Sequence, residues 1–134
     1  VHRYARDIIG CLNNWVDGWI DWNMVLDTQG GPNWFENWCV APVIVNPETD
    51  EVYFTPIYYI MSHFSKFIRP NAQVVHASLS TNELMSVAAI NHDGSIVVVI
   101  FNEKEKATTL ELVVGNSKKN IYIPAQSLQT LILN

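Results

Sequence analysis

Gly18-Trp19-Ile20-Asp21-Trp22-Asn23, followed by Gly30-Gly31-Pro32-Asn33-Trp34, is the stretch on which the fold turns. Its first half predicts a short strand over Trp19–Met24, with Asp21 and Asn23 on one face and Ile20, Trp22 and Met24 on the other. Upstream, Tyr4, Ile8, Cys11, Leu12 and Trp15 recur at three- and four-residue steps, the apolar stripe of a helix that Gly18 ends. Downstream, residues 27–51 contain Gly30, Gly31, Pro32, Pro42 and Pro47 without sustained periodicity, which predicts a long loop of the kind that carries function. A second helix follows, with Thr55 as N-cap, Pro56 in the first turn and Ile57, Ile60, Met61, Phe64 and Ile68 as its buried face. Pro70 stops it. A lone strand between two helices leaves its backbone donors and acceptors without neighbours. The helix–strand–loop–helix order fits the closing segment of a (β/α)8 barrel, which needs about 250 residues, so residues 1–70 are expected to be a piece of something larger.

From Gln73 onward the period changes from helical to alternating. Strands are expected over Gln73–Ser80, Glu83–Asn91, Ser95–Asn102, Ala107–Val114, Lys119–Ile123 and Ser127–Leu133. His92-Asp93-Gly94, the stretch from Asn102 to Lys106, Gly115-Asn116 and Pro124 separate them, and the spacing reads as an antiparallel sandwich or barrel. The predicted fold class is therefore an α+β fragment: the last βα segment of a (β/α)8 TIM barrel over 1–70, then an antiparallel β-sandwich over 71–134.

Composition narrows the function classes. The chain has 134 residues, 49% hydrophobic and only 16% charged, so it is globular and apolar enough that some surface is expected to be covered. A net charge of −5 without a basic stripe argues against a nucleic-acid partner. The longest apolar run, Ile96–Phe101, is too short for a transmembrane segment and reads as a buried strand. Val1 already lies inside a helical pattern; no signal peptide is visible, and this end does not reveal the compartment. Cys11 and Cys39 have no metal-ligand spacing and are expected to be free, buried thiols. The four histidines are scattered, so no metal and no cofactor are expected. The absence of an Asn-x-Ser/Thr sequon disfavours a glycosylated animal protein.

All five tryptophans fall between Trp15 and Trp38. Indole faces suit the C–H faces of sugar rings, and neighbouring Asp and Asn side chains can accept from ring hydroxyls. Gathered round a Gly-Gly-Pro loop, they point to a carbohydrate pocket; the competing reading is a tryptophan-rich packing layer. Trp22 is assigned to the pocket, whereas Trp19 and Trp34 are assigned to packing. Asp21 is either a satisfied core carboxylate or a direct sugar ligand. Glu36 is not expected to form a catalytic pair with Asp21, because retaining hydrolysis needs carboxyl groups about 5–5.5 Å apart and nothing in the sequence fixes their distance. His63, on an apolar helix, is expected to be packed, and Glu103 to Lys106 to be a solvated hairpin connection.

Four segments in register closely resemble glycoside hydrolase family 30, with the glucosylceramidases (acid β-glucosidases) as the nearest branch. They are Gly18–Asn23, Gly30–Trp34, His63-Phe64-Ser65-Lys66-Phe67-Ile68-Arg69-Pro70, and Val87–Ser95 with Val97-Val98-Val99. The resemblance covers essentially the whole chain. It implies a barrel joined to a β-sandwich, of which these residues match only the C-terminal portion, and a retaining mechanism run by two glutamates that belong to earlier barrel strands. No catalytic residue is therefore expected here, and the isolated chain is expected to be inactive.

By the same resemblance Trp22 matches a tryptophan lining the glycone pocket, Asn37 an asparagine near the bound sugar, and Trp38 an aromatic on the pocket rim. Asp21 joins them as a substrate-binding candidate. Cys39 and Glu36 depart from the familiar pattern and leave the aglycone open. The partners implied are a β-glucoside or glycolipid substrate and the remainder of the barrel polypeptide, with peripheral membrane contact through loop aromatics if the substrate is a glycolipid. A secreted or lysosomal-type compartment follows for the parent. The rivals are a β-1,6-glucanase or xylan-active member of the same family, and a non-catalytic carbohydrate-binding sandwich. An isolated fragment is expected to expose sheet edges and an apolar barrel face.

Overall fold

A computed structural model describes residues 2–134; Val1 lies outside the described residues. Helix α1 spans His2–Asn13 and α2 spans Pro56–Ser65. Between them lie β1 (Val25–Asp27), β2 (Val43–Asn46) and β3 (Glu51–Phe54), and after them β4 (Gln73–Val75), β5 (Leu84–Ile90), β6 (Ile96–Asn102), β7 (Thr108–Val114), β8 (Ser117–Ile123) and β9 (Ser127–Leu133). The result is a partial barrel-like α+β region followed by an antiparallel β-sandwich.

The sandwich comprises a four-stranded antiparallel sheet, β4-β5-β6-β9, and the β7–β8 hairpin. Its centre, β5 and β6, is buried on both faces, which explains why Ile96–Phe101 is an unbroken apolar run. Alternation sends Val87, Val97, Val99 and Phe101 to one face. There they pack with Ala5, Ile8 and Ile9 of α1 and Ile60 and Phe64 of α2. Ala88, Val98 and Ile100 go to the other face and pack with Ile123 of β8. One sheet thus serves both halves of the chain as core.

Polar side chains secure that junction. Asn13 donates to the Ser86 carbonyl at 2.8 Å. Buried Asn91 accepts the Arg69 N–H at 3.0 Å and donates to the Phe67 carbonyl at 3.0 Å, tying the turn after α2 to the β5–β6 turn. The His63 Nδ1 lies 2.8 Å from the Thr130 Oγ1 on β9, so His63 is packed as expected.

Several local expectations are corrected. Residues 19–24 form no hydrogen-bonded strand: pairing begins at Val25, which opposes Val43, because β2 supplies a ladder partner only from there. The expected loop over 27–51 contains β2, parallel to β1, and the start of β3, antiparallel to β2. Helix α1 ends at Asn13 instead of at Gly18. Trp15 has φ 66° and is 96% exposed, outside the buried stripe. Thr55 makes no side-chain cap; its hydroxyl donates to the Ala41 and Pro42 carbonyls at 3.1 Å, anchoring the end of the loop. Glu103–Lys106 is a crossover from one sheet to the other, since β9 occupies the edge of β6 and sends β7 away. Glu103 is also paired, with Arg6 of α1. Both cysteines are free but only half-buried.

Candidate functional site

Although residues 19–24 lack a ladder, their burial alternates as a strand's would. Trp19, Asp21 and Asn23 are half-buried, while Ile20, Trp22 and Met24 are exposed, Trp22 by 80%. Helix α1 supplies the reason. The Trp19 Nε1 donates to the Asp7 Oδ2 at 2.7 Å, and the Trp19 ring meets Tyr4 edge-on at 5.6 Å. The Tyr4 hydroxyl donates to the Asp21 Oδ1 at 3.3 Å. With 19 and 21 drawn toward the helix, 22 must face away from it. Trp19 is accordingly a packing residue.

The loop beyond β1 is folded by Asp27, whose importance the sequence reading missed. Its Oδ1 accepts the N–H groups of Gln29 and Gly31 at 2.8 and 2.9 Å, the side-chain turn that an Asp three residues before Gly-Gly could have signalled. The Gly31–Pro32 peptide is cis. Farther along, the Asn33 Oδ1 accepts the Asn37 N–H at 3.1 Å, and the Cys39 Sγ sits 3.3 Å from the Asn37 carbonyl.

Three of the four expected substrate-binding residues converge. Asp21, Trp22 and Asn37 line one open cavity of about 610 Å³, together with Tyr4, Cys39, Val40 and Ile57. Trp38 does not line it; its ring lies over Gly31, where an added Cβ would meet the ring at 3.2 Å. Glu36 is exposed with φ 51° and also lies outside the lining, so Asp21 is the only carboxylate there among the described residues. Trp34, expected to pack, is 84% exposed. A larger hollow of about 1110 Å³ between α1, the end of α2 and β4 is lined by none of the four expected residues.

Chemically, the cavity offers an indole face, a carboxylate acceptor and an amide that both donates and accepts. Such a set can grip a polyhydroxylated ring. One carboxylate cannot by itself perform a two-carboxylate displacement. Among the described residues, no group of three His, Cys, Asp or Glu side chains is placed to hold a metal ion, and no helix is long and apolar enough to cross a membrane.

A barrel-type helical segment packed on an antiparallel sandwich is the architecture of a class of glycoside hydrolases. Residues 1–68 match the glycosyl hydrolase family 30 TIM-barrel domain and residues 71–131 match that family's beta sandwich domain. The chain belongs to glycosyl hydrolase family 30. It is 39% identical over 111 residues to the lysosomal acid glucosylceramidase of Mus musculus, covering 82% of this chain and 22% of that protein. The crystal structure of SrfJ from Salmonella typhimurium superposes with a TM-score of 0.95 at 31% identity, covering 98% of this chain and 30% of that one. The endo-beta1,6-glucanase BT3312 gives a TM-score of 0.84 at 28% identity, covering 96% of this chain and 30% of that one. The chain spans 20% to 28% of the length of the curated relatives it matches.

Proposed function

We propose that these residues form the C-terminal part of a retaining β-glycosidase that hydrolyses β-glucosides, with glucosylceramide-type lipids as substrate. The observation that carries the reading is the convergence of Asp21, Trp22 and Asn37 on one cavity. The identity to a glucosylceramidase supports the substrate class. In this reading the reaction is a double displacement through a covalent glycosyl-enzyme, run by two glutamates of the rest of the barrel. The present residues contribute one wall of the glycone pocket. Exposed Ile20 and Met24 are the apolar positions that the remaining barrel covers, Trp22 faces the sugar, and Trp34 and Phe35, exposed in the loop, are available to the lipid portion of the substrate. A secreted or lysosomal-type compartment belongs to the same proposal.

A second reading, β-1,6-glucanase activity, is favoured by the likeness to BT3312. The two separate on a panel of glucosylceramide, β-1,6-glucan and xylan offered to the complete polypeptide. Preferential release of glucose from glucosylceramide is the expected result; preference for the glucan or xylan would overturn the lipid assignment. The isolated chain should leave an aryl β-glucoside intact, and robust turnover by it would sink the placement of the catalytic glutamates elsewhere.

A further inference from the structure

We infer that Tyr4 is a positioning residue for this site: acting through Asp21, it fixes the segment that presents Trp22 to the sugar. The inference rests on the sugar-site reading above. Tyr4 and Asp7 stand three residues apart on α1, hence on one side of the helix. Each holds one residue of the extended segment, Tyr4 taking Asp21 at 3.3 Å and Asp7 taking Trp19 at 2.7 Å. Two anchors with a period of two leave residues 20 and 22 no choice of face.

The Tyr4 hydroxyl does more than pack. Tyr4 lines the cavity beside Asp21 and Trp22, and among the described residues its side chain is the one that hydrogen-bonds Asp21, at Oδ1. The other carboxylate oxygen is thereby left for a ligand hydroxyl, in a charge-assisted bond. Burial, and then the Asp21 charge, push the Tyr4 phenol above its ordinary range. Its ring, edge-on against Trp19, keeps the packing even without the hydroxyl.

That separation makes the role testable. Tyr4→Phe, Asp21→Ala and the double variant would be made in the complete polypeptide. Readouts are KM and kcat on 4-nitrophenyl β-glucoside, calorimetric affinity for deoxynojirimycin, and the thermal midpoint. Tyr4→Phe should raise KM and weaken the iminosugar by about threefold to tenfold, the worth of one ordinary hydrogen bond, with kcat and the thermal midpoint little changed. The double variant should bind no more weakly than Asp21→Ala alone, because both changes remove the same interaction. Unchanged affinity in Tyr4→Phe, or additive losses in the double variant, would overturn the inference while leaving the enzyme reading intact. If the unsubstituted polypeptide neither cleaves the glucoside nor binds the iminosugar, the sugar-site reading falls and takes this one with it.

Discussion

A Cβ added to Gly30 would lie 2.4 Å from the carbonyl oxygen of Cys39, while the Gly30 carbonyl accepts the Cys39 N–H at 3.2 Å. The loop between β1 and β2 closes its neck at this point, backbone against backbone, and the φ of +89° at Gly30 adds a conformational demand only glycine meets easily. Everything that carries Asn37 toward Asp21 and Trp22 hangs from that neck.

Gly30→Ala should therefore reopen the loop. The expected cost is about 1–3 kcal/mol of stability, with a loss of iminosugar affinity larger than the stability loss explains. Urea titration and calorimetry on the complete polypeptide would check it. Unaltered affinity would mean that the neck does not hold the cavity together.

Trp22→Ala and Asn37→Ala probe the cavity itself. Truncating an aromatic anchor commonly costs about 2 kcal/mol or more, roughly 30-fold in affinity. Deleting one polar partner costs about 1–3 kcal/mol. Both variants should raise KM for a β-glucoside. Trp38→Ala should do less, because Trp38 lies over Gly31 and outside the lining. Equal losses in all three would contradict this arrangement.

Acid should weaken the α2–β9 contact through His63. Burial depresses the pKa of His63 below its ordinary value. The Thr130 hydroxyl donates to the His63 carbonyl at 3.2 Å, which makes Nδ1 the donor in the 2.8 Å bond between the two side chains. The folded form thus binds fewer protons than the unfolded chain at mildly acidic pH. The associated stability is complete above the unfolded value of about 6.5 and is lost as pH falls through the folded value. Thermal midpoints recorded from pH 8 down to 5 should fall less steeply in His63→Gln than in the parent; parallel curves would dismiss His63 as the sensor.

Ile9 joins α1 to the sheet from a position that is 1% exposed. Ile9→Ala should cost about 2–5 kcal/mol by creating a cavity under the helix. Because α1 also carries Tyr4, iminosugar affinity should fall with it. A denaturation midpoint within error of the parent would show that the helix does not depend on this core.

Much of the architecture was legible in local pattern. The alternation of Ser127–Leu133 marks β9 with the bounds that the structure shows, and the apolar spacing of Ile60 and Phe64 marks the buried face of α2. Even residues 19–24 keep their period of two in burial without a ladder. These signals survive in sequence because side-chain direction repeats with the backbone, whatever the neighbours are.

Other features depended on distant partners. The run Ile96–Phe101 announces burial on both faces, yet only the folded chain assigns Val97, Val99 and Phe101 to the helices and Val98 and Ile100 to the hairpin. The β1–β3 sheet inside the expected loop exists because Val43 meets Val25 and Phe54 across the fold, a nonlocal pairing that no local period encodes. The gathering of Asp21, Trp22 and Asn37, and the reach of Tyr4 to Asp21 from a helix 17 residues earlier, are of the same kind. Local pattern marks which positions repeat with the backbone and where the indoles, carboxylates and amides gather along the chain. Tertiary structure alone decided what each side faces, because strand partners and long-range hydrogen bonds are chosen by the closure of the chain.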